Sequence, residues 1–251
     1  MSPTLLAIES STDWLSVALL KGEDVLVSEE HEGSRQHASA LLPAIHTVLT
    51  RGKVGLDDLD AIGIATGPGS FTSLRIGLAT VKGLALGREI MAVGVSTLEA
   101  MSLSVLESGS GAGASEVVAL LDARRGEWYA GGWSMPASRG GLPVAMLPEG
   151  LYAAGKLLDD RDLDAIVMSP ETPGWRRVCE EAGVQTGRLV EGRAARPRAD
   201  SVGRLAARRF EAGEAVSFSR LEARYLRRAE AEAKRLGAPV EEGEVARLDP
   251  S

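Results

Sequence analysis

Two short stretches carry residue types that could handle a charged ligand. Gly67-Pro68-Gly69-Ser70-Phe71-Thr72 lies between an aliphatic run and a segment of helical spacing. Glycines permit backbone angles closed to other residues, and Ser70 or Thr72 can cap the helix that follows. A helix start with bare N–H groups can hold an anion. A purely structural turn uses the same residues, and no Gly-Lys-Ser/Thr follows to make this a P-loop. Glu9-Ser10-Ser11-Thr12 sits at the tip of the first predicted hairpin. An acidic residue beside hydroxyls could handle metal and phosphate, but a hydroxyl-rich turn needs no ligand. Leu121–Tyr129 reads either as a hairpin with a charged turn or as a second phosphate-facing hairpin.

Other chemistries find no residues. His31, His37 and His46 are not spaced as a zinc pair, so surface or capping roles are expected. No Ser lies in a G-x-S-x-G elbow. Cys179 is the only cysteine, which excludes an internal disulfide framework and suits a reducing compartment. The expectation is therefore no catalytic residue and no metal.

The 251 residues are 44% hydrophobic and 25% charged, which excludes wholesale disorder, collagen and a membrane bundle. Aromatics are 4% against 29 Gly, so the core must be aliphatic with close backbone approaches. A net charge of −7 argues against a dedicated nucleic-acid binder. Within it, residues 176–235 hold 15 Lys or Arg against 9 Asp or Glu. That excess reads as solvated helix faces or as an RNA-facing surface. Arg196, Arg198, Arg208 and Arg209 would be the first contacts, although no RNA binding by the chain alone is expected at physiological salt. The most apolar stretch, Leu74 to Leu86, carries Arg75 and Lys82 and is too short to span a bilayer. No targeting segment is visible, and a soluble cytoplasmic protein is expected.

Elements of the expected pattern can position both stretches. Leu5–Glu9, Trp14–Leu20 and Val25–Glu29 read as antiparallel strands, followed by a helix over Gln36–Thr50. Leu59–Thr66 is a buried strand running into the glycine loop and a helix over Thr72–Arg88. Ile90–Val95 is the next strand, with Ser96 able to cap a helix from Thr97. A second unit repeats the design, with strands Val117–Asp122, Glu127–Ser134, Val144–Leu147 and Leu163–Met168. Helices are expected at Glu149–Leu158, Trp175–Gly183, Ser201–Ala212 and Leu221–Leu236. The domain reading is a lobe over 1–106, a Gly/Ser/Ala-rich connection over 107–116, a lobe over 117–236 and a disordered tail over 237–251. The fold class is α/β, each lobe a mixed sheet with helices.

The helix Thr72–Arg88 is apolar over more than half its circumference. At 100° per residue, Ser73, Ile76, Gly77, Thr80, Leu84 and Gly87 share one side. A fully internal helix is one reading; the preferred one is a partner surface, with Leu41 and Ile45 of the preceding helix as companions. Gly77→Leu is then expected to weaken pairing while leaving the chain folded.

LAIESSTDWLSVALL, GPGSFTSLRIGLATVKGLALG, VGVSTLEAM, LLDARRGEWYAG and ARYLRRAEAE together resemble the TsaB family, in order from about residue 4 to about residue 230. These are bacterial tRNA threonylcarbamoyladenosine biosynthesis proteins, paralogues of the transferase TsaD. Glu9 stands where that family usually has Asp, and Ser73 where Gly is commoner. The resemblance implies a two-lobed actin/Hsp70/sugar-kinase-like (ASKHA) fold. It implies a non-catalytic subunit that pairs with TsaD through first-lobe helices, is joined by the ATPase TsaE, and meets tRNA only through the complex. The process would modify the adenosine beside the anticodon of tRNAs reading ANN codons. TsaD would carry the catalysis and the metal-binding histidines, and the chain alone could form a homodimer. Glu9, Ser10, Ser11, Thr12, Gly67, Gly69 and Ser70 would be a vestigial phosphate loop. No cofactor is expected, with ATP or ADP confined to the complex. The rival readings are an independent ATP-binding enzyme and a peptidase.

Overall fold

The computed structural model describes residues 2–33, 37–110, 114–134, 144–159, 166–170, 172–183, 188–190 and 192–226. The chain forms two compact units, Met1–Ala100 with Pro197–Arg224, and Met101–Arg196 with Tyr225–Ser251.

Unit 1 is built on β1 (Thr4–Glu9), β2 (Trp14–Lys21), β3 (Asp24–Glu32), β4 (Ala61–Gly67) and β5 (Met91–Ser96), in the sheet order β3-β2-β1-β4-β5. The first three pair antiparallel, as their short connections require. β4 joins β1 in parallel, Leu5 opposite Ala61, and β5 joins β4 in parallel. Every residue of β1 is buried, and its Leu5–Ile8 stretch reads as an apolar run closed by the buried Glu9. α1 (His37–Gly52) lays Leu41, Ala44, Ile45, Val48 and Leu49 into the core at helical spacing. α2 (Phe71–Ala85) starts at its cap Ser70, whose Oγ accepts from Ser73 N. α3 (Thr97–Ser108) begins where Ser96 Oγ accepts from Glu99 N, at 3.4 Å.

Unit 2 repeats the order with β6 (Glu116–Asp122), β7 (Glu127–Ser134), β8 (Val144–Ala153), β9 (Ile166–Met168) and β10 (Arg188–Val190), arranged β10-β9-β6-β7-β8. The repeat expected from spacing alone is therefore a repeat of strand order and pairing sense. Each unit is thus a mixed sheet with helices, the α/β design expected of each lobe. α4 (Ala154–Asp159), α5 (Thr172–Ala182) and a 3₁₀ turn over Gly192–Ala195 follow among its described residues. Its core holds Trp128, Tyr152 and Trp175, with the two indoles edge-to-face at 5.4 Å.

Several boundaries differ from the sequence reading. α6 (Ala199–Glu211) belongs to unit 1 rather than to a lobe over 117–236, because its small residues seat it on the first sheet. A Cβ on Gly63 of β4 would lie 2.5 Å from Ala206 Cβ, so the backbones approach closely there. Glu149 falls in β8 rather than in a helix, because β8 continues to Ala153 along β7. β10 went unforeseen; three residues flanked by charge give too little periodicity. Leu221–Arg224 is extended rather than helical, its course fixed by main-chain pairing to Thr66. The rest of the expected helix beyond 226, the tail over 237–251 and the middle of the glycine-serine connection lie outside the described residues. Among the described residues no helix is long and apolar enough to cross a membrane.

Candidate functional site

β1 delivers Glu9 to the carboxyl end of the unit 1 sheet, and the turn Ser10–Asp13 carries the chain back into β2. Glu9 is completely buried. Its Oε1 accepts from both the N–H and the Oγ–H of Ser11, each at 2.5 Å, while Oε2 is buried without a partner. Burial pushes the carboxyl pKa up to about 7, against the opposing pull of the Ser11 hydrogen bonds. The Glu9 side chain thus spends much of its time near neutrality as a neutral acid, unlike an ordinary metal- or phosphate-handling carboxylate. Thr12 Oγ1 accepts from Trp14 N at 3.3 Å, a turn-closing bond of the kind that hydroxyls make.

The glycine loop closes onto the same turn. Ser70 N donates to Ser11 O at 2.7 Å, and a Cβ on Gly69 would collide with that carbonyl. Gly67 adopts φ +117, a conformation that favours glycine. Ser10 Oγ donates to Ser73 O at 3.4 Å. Of the N–H groups that a phosphate would need, Ser70's goes to Ser11 and those of Ser73 and Leu74 go to Ser70. Glu9, Ser10, Ser11, Thr12, Gly67, Gly69 and Ser70 do come together, the loop docking on the hairpin tip through the Ser70–Ser11 and Ser10–Ser73 bonds.

The sequence reading missed one member of this cluster. His37, the first residue of α1, is 1% exposed rather than on the surface, and its Nδ1 lies 3.2 Å from Ser73 Oγ. Its Nε2 is buried without a partner. Burial holds the imidazole below its usual pKa, with Asp13 pulling the other way. The one available signal was its position opening a helical pattern at Leu41, Ile45 and Val48. His31 and His46 are exposed.

The expected partner face requires correction. Ser73 and Gly77 are buried within unit 1, and a Cβ on Gly77 would collide with Ser10 Oγ and sit 3.3 Å from Ile64 Cδ1. Its missing side chain admits its own sheet. Leu41 and Ile45 are core residues, and Ile76 and Leu84 are half-buried against the same core. Thr80 is half-buried, and Gly87 lies beyond the helix end at φ +76, where it stops α2. The exposed positions are instead Thr72, Arg75, Ala79, Lys82, Gly83 and Leu86 on and just past α2, and Leu42 and His46 among those of α1. Leu42 and Leu86 are 53% and 80% exposed. The Arg75 guanidinium lies over the Phe71 ring, 3.8 Å from its centroid.

In unit 2 the Leu121–Tyr129 hairpin takes the charged-turn form. Arg124, Arg125 and Gly126 are all left-handed, and Asp122 Oδ1 accepts from Arg124 N at 2.7 Å. Three of the arginines considered for RNA are in ion pairs, Arg198 with Asp200, Arg208 with Glu23 and Arg209 with Glu99. Among the described residues no three His, Cys, Asp or Glu side chains gather as metal ligands would.

Residues 30–135 match the family model for TsaD, tRNA N6-adenosine threonylcarbamoyltransferase. The chain is 32% identical over 228 residues to the tRNA threonylcarbamoyladenosine biosynthesis protein TsaB of Escherichia coli, covering 89% of this chain and 94% of that protein. It is 28% identical over 234 residues to TsaB of Bacillus subtilis, covering 92% and 97%. Among solved structures, YeaZ from Pseudomonas aeruginosa superposes with a TM-score of 0.76 at 30% identity, covering 90% of this chain and all of that one.

Proposed function

The chain belongs to the TsaB family and takes part in tRNA threonylcarbamoyladenosine biosynthesis, and from that premise we propose that it is a non-catalytic subunit that pairs with TsaD through α1 and α2. The observation that carries this reading is the exposure of Leu42 and His46 on α1 and of Ala79, Gly83 and Leu86 on and just past α2. Small residues there let a second helix approach, and the two leucines offer apolar area to bury. TsaE joins the pair, tRNA is met through the complex, and the modified base is the adenosine beside the anticodon of ANN-reading tRNAs. The same positions support a homodimer when TsaD is absent. A cytoplasmic location follows from the tRNA substrate.

An independent ATP-binding enzyme is the weaker reading, because Ser11 already takes the Ser70 N–H and its carbonyl packs against Gly69. ATP or ADP accordingly belongs to the complex. A peptidase is weaker still: the Ser–His pair of Ser73 and His37 is 2% and 1% exposed, out of reach of a substrate carbonyl.

Co-purification of the wild-type chain and of Leu42→Glu with TsaD tests the proposal. Leu42→Glu should weaken capture by tenfold or more, about 1.4 kcal/mol, with the chain still folded by circular dichroism. Unchanged capture removes this face from the interface. ATP turnover by the purified chain alone would favour the enzyme reading.

A further inference from the structure

After α6 the chain does not leave unit 1 directly. Val216 forms an antiparallel bridge with Ala92 of β5, their N–H and C=O groups exchanging two bonds of 2.8 Å. A 3₁₀ turn over Phe218–Arg220 follows, with Phe218 seated in the unit 1 core. Leu221 is 3% exposed and packs where a Cβ on Gly94 would stand, 3.4 Å away. Arg224 N then donates to Thr66 O at 2.8 Å, at the carboxyl end of β4. A Cβ on Gly67 would meet the Arg224 carbonyl oxygen at 2.7 Å. The glycine loop is therefore gripped from two sides, by Ser11 at Gly69 and Ser70 and by Arg224 at Thr66 and Gly67. In open α/β sheets ligands bind outside the carboxyl ends of the strands. Here the chain's own backbone lies across that place on β4.

We propose that Val216–Arg224 is a main-chain strap that latches the Gly67–Ser70 loop, fixing the cap of α2 and replacing the ligand that this crevice would otherwise take. The latch couples two segments about 150 residues apart in the chain. Whatever pulls on the chain beyond Arg224 therefore acts on the loop. The inference concerns unit 1 alone and does not depend on TsaD.

Amide hydrogen exchange on the full chain tests it, with the β6–β7 amides of unit 2 as the internal standard. Arg224→Pro removes the donor, and Arg224→Ala keeps it. In Arg224→Pro, exchange at residues 67–73 should quicken by roughly five- to tenfold, the effect of one lost backbone bond. Arg224→Ala should exchange like the wild type. Gly67→Ala probes the contact from the other side and should quicken the amides of residues 221–225 as well as its own loop. If Arg224→Pro exchanges quickly everywhere, Gly67→Ala alone decides. The latch is overturned by a loop indifferent to Arg224→Pro, by Arg224→Ala matching Arg224→Pro, or by a Gly67→Ala effect that stops at the loop.

Discussion

Glu9 and Asp122 hold the same place in the two sheets, each the last residue of the central strand before the first hairpin turn. Their chemistry differs because their surroundings do. Asp122 keeps 31% of its side chain in solvent, and a neighbouring Arg124 lies 3.5 Å from its carboxylate. Glu9 has no cation, no solvent and one unpartnered oxygen. The following loops differ too. Unit 1 has the glycine loop between β4 and α2, while the corresponding stretch of unit 2 opens with Ser169-Pro170. Identical topology has therefore produced one hairpin tip locked against its loop and one that stands in water. The position in the fold does not assign the role; burial and hydrogen-bond partners do.

The strongest way to break this comparison is to crowd the locked side. Gly77→Leu places a branched side chain where Ser10 Oγ and Ile64 already leave no room. Overpacking costs about 1–3 kcal/mol and more where the backbone cannot move. Thermal melting should show a loss of at least about 3 kcal/mol, a sizeable share of a domain's stability. Gly155→Leu is the counterpart in unit 2, where a Cβ meets nothing within 4 Å. That variant should stay within about 1 kcal/mol of the wild type. Equal effects at the two sites would mean that unit 1 yields as freely as unit 2.

Much of this lock was legible in the sequence, and its limits have physical causes. The glycine loop, the Ser70 cap and the tip hydroxyls are local signals, so their elements came out within a few residues. Helical geometry also showed that Ser73, Gly77 and Thr80 share a side of α2. It could not show which side faces the sheet, because a glycine that admits a partner helix and one that admits its own strand look alike. His37 escaped for a different reason. It meets Ser73, 36 residues away in the chain. Nothing in its immediate sequence announces that contact. The affiliation of α6 was hidden likewise, since Gly63 and Ala206 meet only after the fold has formed.

Glu9 sharpens the comparison through pH. Its pKa is raised from an ordinary 4.5 to about 7 in the folded chain. The folded state therefore keeps a proton that the unfolded state has already lost. Stability should fall as pH rises from about 4.5 and level off above about 7. The full change is about 3 kcal/mol. Glu9→Gln keeps an acceptor for Ser11 and removes the titration, so the difference between variant and wild type should follow that course. His37 works in the opposite sense, because burial keeps it neutral while the unfolded imidazole takes up a proton below its ordinary 6.5. That contribution is shared by both proteins and cancels in the difference. Asp122→Asn in the open hairpin should change little, since its carboxylate is partly solvated. A wild-type curve parallel to that of Glu9→Gln from pH 5 to pH 8 would show that Glu9 ionises as an ordinary surface acid.

The smallest effects should come from the ion pairs that tie α6 to unit 1, and they rank by burial. Arg208 holds Glu23 with two bonds of 2.7 and 2.6 Å, but Glu23 is 45% exposed. Hydrogen bonding from Arg208 is the largest cause of a lowered Glu23 pKa. A depressed carboxyl contributes stability above its unfolded pKa and loses it as pH falls through the folded value. Solvent and salt screen so exposed a pair, so Arg208→Ala should cost at most about 1 kcal/mol. The cost should shrink in high salt and vanish in acid once Glu23 is protonated. The Arg209 pair has the more buried carboxylate, Glu99 at 21% exposure, and Arg209 donates to Gly94 O at 2.7 Å and to Glu99 Oε2 at 2.5 Å. Its loss strips a partner from the Gly94 carbonyl as well as from a carboxylate, which costs about 1–3 kcal/mol. Denaturant melts of the two alanine variants at low and high salt distinguish the cases. Arg209→Ala should be the more damaging and the less salt-sensitive. The reverse order would mean that α6 is held to unit 1 chiefly by its exposed rim, rather than by the close packing of Ala206 and Gly203 on the sheet.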